Sequence, residues 1–416
     1  MVEKTLGDVA TYVNGRAFKP QEWEMSGSPI IRIQNLTNST QECNRTTKQF
    51  EKKYRVFDGD LLFAWSASLG AHIWHGEDGW LNQHIFKVIP SENVDKMYLY
   101  YYLLYVVDQL YAKSHGSGMV HIKLKPFQST KIMVPELSEQ RRIVDRIESL
   151  FAKLDEAKEK AQAVVDSFET RKAAILHKAF TGELTAKWRE EHGVRMESWE
   201  KKRLSDVVTE FKYGTSEKSD YNNNGIPVLR IPNIGDNGID LSDIKYLNHR
   251  NVDSESQIHE GDILIIRSNG SRDLVGKAVL VPELGCEYAY ASFLIRAKPN
   301  HSIINAHYLT IFLNSTDARG QMFRMAKSSA GINNINTKEL GAISLTVPSL
   351  PEQDEIVHII SEMIDKEQQS KAAAEAVLAQ IDLMKKSILA RAFRSELGTN
   401  DPTEESAVEL LKKIIQ

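Results

Sequence analysis

The sequence predicts an α+β protein made of two copies of one unit, in which a mixed β-sheet module is followed by a long amphipathic helix. Three observations support this fold class: an internal repeat, short apolar runs between turn residues, and an apolar period close to 3.5 residues at the end of each copy. We expect two pseudo-symmetric domains, each a mixed sheet plus helices, separated by an antiparallel pair of long coiled-coil helices.

The internal repeat is the strongest of these observations. Residues 6–9 (LGDV) recur as 204–207 (LSDV), and residues 179–184 (AFTGEL) recur as 392–397 (AFRSEL). Five such matches keep their order along the chain, while the offset between the copies grows from 198 to 213 residues. The chain is therefore a duplication whose second copy carries extra loop residues.

The elements within a copy follow from its apolar runs. Short runs at 30–33, 59–65 and 84–89, with turn residues between them, predict strands. The segments 98–110 and, in the second copy, 307–313 predict helices. Each module is thus expected to be a mixed sheet with a few helices.

The segment that ends each copy predicts a coiled-coil helix. Apolar residues step alternately by four and three along 143–168 and again along 356–388, where Glu367 and Ser370 weaken the pattern. About 40 residues at ~1.5 Å each give an arm of roughly 60 Å. This exceeds the roughly 34–36 Å of one DNA turn, so two readers on one face of a duplex could reach separated half-sites. A scaffold that only spaces two protein-binding domains explains the helices equally well.

Bulk composition excludes several classes of protein. A chain of 416 residues that is 42% hydrophobic can bury two or three cores, which excludes a disordered protein. Cys43 and Cys286 are too few and too far apart for a disulfide framework or a zinc site, and no apolar run approaches the ~20 residues of a membrane span. We expect a cytoplasmic protein with no membrane partner. Because the net charge is −4, only local clusters of positive charge could indicate a nucleic-acid partner.

Local charge favours a DNA-facing surface in both copies. Residues 109–135 and 318–338 contain no acidic residue, although the chain has 56 Asp and Glu residues. Acid-free basic stretches at equivalent places are typical of phosphate-facing surfaces, and a solvated loop is the alternative. The candidate DNA contacts here are Ser117, His121, Lys123 and Lys125 in the first copy, and Lys327, Ser329, Asn333 and Lys338 in the second.

Other candidate contacts lie where the copies differ. Residues 45–55 are basic in the first copy, whereas 247–257 are not, and the loops at 65–70 and 267–272 have different side chains. Two readers of different half-sites should share a framework and differ in such loops. The candidates are Lys48, Ser66 and Ser68, with Arg267, Ser268, Asn269 and Ser271 in the second copy. The strand ends add Arg32 and Asn35, with Arg230 and Asn233, although a buried arginine that holds a loop is the alternative.

No catalytic or metal-binding motif emerges from the sequence. Residues 270–277 resemble a phosphate-binding loop only superficially, because the glycine spacing is wrong and Ala278 stands where Ser or Thr should bind magnesium. No amino-methyltransferase motif, His-Glu-x-x-His or Cys-x-x-Cys is present. We therefore expect that the chain is not an enzyme. A nuclease or methyltransferase with an unrecognised motif is a weaker alternative.

These features together resemble the specificity subunit of type I restriction-modification systems across almost the whole chain. The resemblance rests on the Gly-Asp-Leu/Ile-Leu runs at 59–62 and 261–264, the Pro-x-Leu-Ser/Pro-Glu-Gln helix starts at Pro135 and Pro348, and the segment that ends at Thr185. Arg394-Ser395 replaces Thr-Gly in the second copy, which is a small departure.

The resemblance implies a domain plan and a set of partners. Target recognition domains would span 1–136 and 185–349, the latter with a short linker at 185–202, and each would be followed by a conserved helix, at 137–184 and 350–397, before a tail at 398–416. The chain would bind double-stranded DNA at a bipartite, gapped site. Two modification subunits would bring S-adenosylmethionine for adenine N6-methylation, and restriction subunits would bring ATP and Mg²⁺, so this chain itself would bind no cofactor.

Overall fold

The computed structural model describes residues 2–38, 41–112, 121–222, 224–236, 238–248, 257–329 and 332–397. It divides into two compact units, of which the first contains residues 1–162 and 374–416 and the second contains residues 163–373. Each unit therefore combines one sheet module with segments of both long helices. Ser117 and the tail after residue 397 lie outside the described residues.

The first unit contains two four-stranded sheets and one two-stranded sheet. Its strands are β1 (Val2–Thr5), β2 (Ala10–Asn14), β3 (Ser28–Ile31), β4 (Asn44–Thr46), β5 (Arg55–Val56), β6 (Leu61–Ala64), β7 (Gly70–Ile73), β8 (Gly79–Leu81), β9 (Ile85–Pro90) and β10 (Lys131–Val134). Its helices are α1 (Leu6–Val9), α2 (Ile33–Thr37), α3 (Lys96–Ala112), α4 (Leu124–Gln128) and α5 (Leu137–Asp166).

The sheets of the first unit are mixed, as the sequence predicts. One has the order β2-β9-β6-β7 and is antiparallel, and the other has the order β4-β3-β8-β5 with a parallel β3–β8 pair. All of β6 is buried because alternate side chains enter different cores: Leu61 and Phe63 pack with α3, and Leu62 packs with the second sheet. The strand predicted at 30–33 ends at Ile31, since α2 begins at Ile33.

The second unit repeats this arrangement with longer connections. Its strands are β11 (Glu200–Arg203), β12 (Val208–Tyr213), β13 (Ser219–Asp220), β14 (Ile226–Leu229), β15 (Lys245–Leu247), β16 (Ile263–Ile266), β17 (Ser268–Asn269), β18 (Ala278–Leu280), β19 (Ala289–Tyr290), β20 (Leu294–Pro299), β21 (Lys327–Ser329), β22 (Ile332–Asn334) and β23 (Ser344–Val347). Its helices are α6 (Phe168–Phe180), α7 (Ala186–His192), α8 (Leu204–Val207), α9 (Ala306–Leu313), α10 (Thr316–Met325), α11 (Thr337–Gly341) and the first part of α12 (Leu350–Phe393).

Strand order confirms the duplication. The antiparallel sheet β12-β20-β16-β18 matches β2-β9-β6-β7, and the mixed sheet β13-β15-β14-β19 again has one parallel pair. The buried strand β16 also divides its side chains between two cores, with Ile263 and Ile265 on one side and Leu264 and Ile266 on the other.

The long helices pair as predicted. In the second unit Arg171 Nε lies 2.6 Å from Glu367 Oε2 and Thr185 Oγ1 lies 2.8 Å from Glu352 Oε1, so residue numbers rise on one segment and fall on the other. The pairing is antiparallel. Glu367, which weakened the apolar pattern, is used in this ion pair.

In the first unit, α5 packs against the C-terminal part of α12. Lys385 Nζ lies 2.6 Å from Asp155 Oδ1, and Ile381 and Ile388 belong to the same buried cluster as the apolar face of α5. The two long helices differ in continuity, because α12 is unbroken over 44 residues whereas the first arm is interrupted at Ser167 between α5 and α6. No helix within the described ranges is long and apolar enough to cross a membrane.

One glutamine in each copy fastens the long helix to its module. Gln140 accepts a hydrogen bond from the backbone N–H of Asp95 (2.8 Å) and donates to two backbone carbonyls, one of them from Pro135. Gln353 makes the same three hydrogen bonds in the second copy, with Asn305 as the donor (2.7 Å). The repeated Glu-Gln motif is therefore a structural joint.

Candidate nucleic-acid interface

In each copy the structure joins the two kinds of loop that the sequence singles out. We call residues 65–68 with 121–123 the first junction, and residues 267–269 with 332–335 the second junction. In the second junction β17 pairs with β22, which pairs with β21, so three short strands form a sheet. In the first junction a single bridge joins Ser66 and His121.

Both junctions have the same backbone frame. The N–H of Trp65 donates to the carbonyl of His84 (3.0 Å), and its carbonyl accepts from Ile122 (3.0 Å). Arg267 is held in the same way, with its N–H on the Phe293 carbonyl (3.0 Å) and its carbonyl accepting from Ile335 (2.9 Å). Trp65 and Arg267 are therefore structurally equivalent positions, although their side chains differ.

The second junction presents polar side chains. The Arg267 guanidinium lies over the Tyr213 ring at 4.4 Å from its centroid, and its Nε donates to Asn334 Oδ1 (3.3 Å). Asn333 donates to the Gly270 carbonyl (3.2 Å). Arg267, Ser268, Asn269 and Asn333 are thus brought together, as half-buried residues.

The remaining candidates of the second copy lie around this sheet. Ser271 is exposed in the adjacent loop, and Lys338 is exposed on α11. Lys327 and Ser329 belong to β21, but their side chains lie outside the described part of the structure.

The first junction is aromatic. The Trp65 ring stacks on Phe86 with centroids 5.7 Å apart, and its Nε1 donates to Asn14 Oδ1 (3.0 Å). Ser66 is buried, whereas Ser68 is exposed. The segment that joins it at His121 carries three exposed basic residues: His121, Lys123 and Lys125.

The structure gives Asn35 and Asn233 a different role from the predicted DNA contact. Both are buried, and the Oδ1 of each accepts the backbone N–H of the arginine three residues earlier, at 3.0 Å from Arg32 and 2.8 Å from Arg230. Their amide groups donate to backbone carbonyls of the following loop. These asparagines therefore hold the loop after the strand, which explains their repetition.

The two arginines beside them differ. Arg230 Nη2 lies 3.1 Å from Asp243 Oδ2 and also donates to its carbonyl, so Arg230 holds a loop. Arg32 lies half-buried over the Trp23 ring, at 5.6 Å, and Trp23 is 41% exposed. Arg32 is therefore the better candidate for an outward contact.

Much of the basic cluster at 45–55 is paired within the protein. Arg45 Nη2 lies 2.8 Å from Glu77 Oε1, and this pair lowers the pKa of Glu77. Lys53 pairs with Glu51 at 2.7 Å. Lys48 is exposed, so it stays a candidate for a phosphate contact.

Comparison with known proteins explains this duplicated geometry. The family model for the type I restriction modification DNA specificity domain matches residues 1–165 and 196–377. The chain belongs to the family of type I restriction-modification specificity subunits. It is 30% identical to the EcoKI specificity subunit of Escherichia coli (strain K12) over 72% of this chain and 67% of that protein. It is 25% identical to the EcoBI specificity subunit of Escherichia coli over 99% of this chain and 90% of that protein.

Solved structures share the fold of this specificity subunit. The HsdS subunit from Thermoanaerobacter tengcongensis has a TM-score of 0.62 at 18% identity, covering 95% of this chain and 97% of that chain. A chain from a study of complex assembly and conformational transition of the type I R-M system has a TM-score of 0.67 at 19% identity, covering 95% and 98%. These likenesses confirm the predicted α+β architecture.

Membership of this family also indicates which subunits carry out catalysis. Its specificity subunit is non-catalytic, and catalysis lies in the HsdM and HsdR subunits. Among the described residues of this specificity subunit, no group of three or more His, Cys, Asp or Glu side chains could hold a metal ion.

Sequence reasoning missed the residues that support the junction side chains. Asn14 and Tyr213 are the last residues of β2 and β12, and each is followed by a glycine. A Cβ atom added at either glycine would lie 2.0–2.2 Å from a backbone carbonyl oxygen, so a larger residue does not fit there. The repeat contained a signal for them, because 12–15 (YVNG) aligns with 211–214 (FKYG).

Proposed function

We propose that this specificity subunit reads a bipartite, gapped site on double-stranded DNA, with one half-site for each copy. One observation carries the proposal: equivalent backbone frames at Trp65 and Arg267 hold unlike side chains. A duplicated scaffold with divergent surface side chains suits two readers of different sequences. A scaffold for two protein partners would not require matched acid-free stretches beside both junctions.

The domain plan is part of this proposal. Residues 1–136 and 185–349 are the proposed recognition domains, with a linker at 185–202. The helical segments 137–184 and 350–397 set the gap between half-sites, and 398–416 form a tail.

Contacts fall into two proposed classes. Exposed basic side chains contact phosphates and supply salt-dependent affinity, and side chains at the junctions contact base edges. The exposed phosphate set is Lys48, His121, Lys123, Lys125 and Lys338, to which Lys327 is added for its place in the acid-free stretch. The base-edge set is Ser68, Arg267, Ser268, Asn269 and Asn333, with Ser271 in the adjacent loop. Arg32, Ser66, Ser117 and Ser329 remain candidates without an assigned class.

Partner subunits supply the chemistry in this proposal. Two modification subunits bring S-adenosylmethionine for adenine N6-methylation, and restriction subunits bring ATP and Mg²⁺, in the cytoplasm. Family membership supports this assignment, and so does the fold shared with a chain from a type I R-M assembly study.

Methylome sequencing tests the proposal directly. Cells that express this chain with its modification subunits should carry N6-methyladenine at one motif with two specified parts and an unspecified gap, and cells without the chain should not. A contiguous motif would contradict two-part reading. No methylation, together with no gel shift of duplex DNA by the purified complex, would favour the protein scaffold.

The helical spacer has its own test. Four residues inserted after Ala161, with four more after Ala374 to preserve pairing, add ~6 Å at ~1.5 Å per residue. At about 3.4 Å per base pair the gap should lengthen by roughly two base pairs while both half-sites stay the same. Methylome sequencing of the variant measures the gap, and an unchanged gap would contradict the spacer.

A further inference from the structure

The guanidinium of Arg267 is fixed in place before any ligand binds. Its backbone is held on both sides by hydrogen bonds to Phe293 and Ile335, at 3.0 and 2.9 Å. The side chain is held by Asn334 Oδ1, which accepts from Nε at 3.3 Å, and by the Tyr213 ring beneath it. The plane of the guanidinium therefore has a set direction, at low entropic cost for binding.

The two terminal amino groups of Arg267 have no acceptor among the residues that the structure describes. Three other arginines of the second copy are bonded within the protein: Arg230 to Asp243, Arg296 to Glu210, and Arg319 to backbone carbonyls. Tyr213 is 39% exposed, so the edge of the junction is open to solvent. Arg267 thus presents a pair of unused donors at an open edge.

Paired donors of this kind fit guanine. In the major groove guanine presents O6 and N7 as adjacent acceptors, and an arginine fork bonds both at once. A phosphate accepts the same planar fork, so the choice of guanine rests on the side chains around Arg267. The neighbours of Arg267 at the second junction are Ser268, Asn269 and Asn333, which have neutral groups suited to base edges.

We infer that Arg267 reads a guanine in the half-site bound by the second copy, through paired hydrogen bonds to O6 and N7. This inference rests on the proposed DNA-reading function and adds a base identity to it. The first copy cannot make the same contact at its equivalent position, because the only donor of the Trp65 side chain is already bonded to Asn14.

Base analogues test the inference on the unaltered protein. The full complex with its modification subunits is bound to its methylome-defined site, in which each guanine is replaced in turn by 7-deazaguanine, which lacks the N7 acceptor. We expect one guanine, in one half-site, whose replacement weakens binding by roughly 2- to 13-fold, because one of the two paired hydrogen bonds is lost.

The variant Arg267→Met identifies the residue responsible. Methionine keeps an unbranched apolar side chain but has no hydrogen-bond donor, whereas lysine could still bond guanine O6 and N7, so Arg267→Met should bind the normal and the 7-deazaguanine duplex equally well, and its methylome should be degenerate at that position. Arg272→Met is the control with the same loss of charge, since the Arg272 guanidinium already donates to the Phe323 carbonyl in the same loop region, and it should keep the full sensitivity.

The outcomes separate the inference from the function on which it rests. If no guanine is sensitive in the wild type, or if Arg267→Met keeps the wild-type sensitivity, the guanine contact is overturned while bipartite reading stands. If the wild-type complex recognises no specific DNA, both are overturned. A thermal melt of Arg267→Met that matches the wild type excludes misfolding as the cause of lost sensitivity.

Discussion

The two junctions place unlike side chains on the same backbone frame. In the first copy Trp65 packs on Phe86 and uses its only donor internally, whereas in the second copy Arg267 lies over Tyr213 with terminal donors to spare. The hydrogen bonds that hold the two backbones differ by no more than 0.1 Å between the copies. Duplication has therefore preserved the frame and changed the side chain that it carries.

At the joints between the sheet modules and the long helices, one pair of equivalent residues makes the same contacts in both copies and the neighbouring pair does not. Gln140 and Gln353 make identical sets of hydrogen bonds. The preceding glutamates differ, because Glu352 is fully buried against Arg189, Thr185 and Trp199. The second copy thus has an added buried network that ties α7 to α12.

The largest expected effect comes from this added network. Glu352→Ala would leave the Arg189 guanidinium buried without its carboxylate, and breaking a buried pair costs about 3–5 kcal/mol of stability. Urea unfolding of the full chain should show this loss in a transition of the second unit.

Glu156→Ala is the control for that measurement. Glu156 pairs with Lys160 on an exposed helix face, where solvent screens the pair, so its loss should leave the urea midpoint close to that of the wild type. Equal effects of the two substitutions would mean that the buried network does not support the second unit as its geometry implies.

The conserved joint predicts a symmetric effect. Gln140→Ala and Gln353→Ala each remove three hydrogen bonds and leave buried backbone groups unpaired, which we expect to cost about 3 kcal/mol in each case. Unfolding of the two variants should therefore show matched losses, each in its own unit. A loss of stability in one variant alone would contradict this prediction, because the same hydrogen bonds would then stabilise the two copies unequally.

Sequence reasoning succeeded where patterns are local. The repeat, the helix at 98–110 and the pairing of the long arms followed from spacing alone, and the structure confirms them. The break at Ser167 was missed because the apolar period continues through it to Phe168.

The junctions were beyond sequence reasoning because they join distant segments. Arg267 and Asn334 are 67 residues apart, and no local pattern relates them. For the same reason the sequence favoured Arg230, paired with Arg32, over Arg267 as a DNA contact, whereas the structure shows that Arg230 is bound to Asp243 within the protein.

Charge reversal in the first copy should weaken binding to every DNA sequence. Lys123→Glu with Lys125→Glu replaces two exposed cations, so we expect affinity to fall roughly 10- to 100-fold and the slope of log K against log salt to fall by about two. Filter binding at several salt concentrations measures both. The same reversal at Lys158 and Lys160, which are exposed on α5, is matched in net charge and should have a smaller effect. Identical curves for the wild type and the first variant would remove these lysines from the interface.

The smallest expected effect concerns the ring beneath Arg267. Tyr213→Leu removes the aromatic face, and loss of a partly exposed cation–π contact of about 0.5–1 kcal/mol should reduce guanine discrimination by roughly two- to fivefold. Tyr213→Phe keeps the face and loses only the hydroxyl that accepts from the Thr337 N–H at 3.2 Å, so it should discriminate as the wild type does. Competition binding between the cognate duplex and one altered at the contacted guanine measures the difference. If Tyr213→Phe loses as much guanine discrimination as Tyr213→Leu, the Tyr213 hydroxyl and not its ring positions Arg267. The difference between the two junctions would then depend on the hydrogen bond of that hydroxyl.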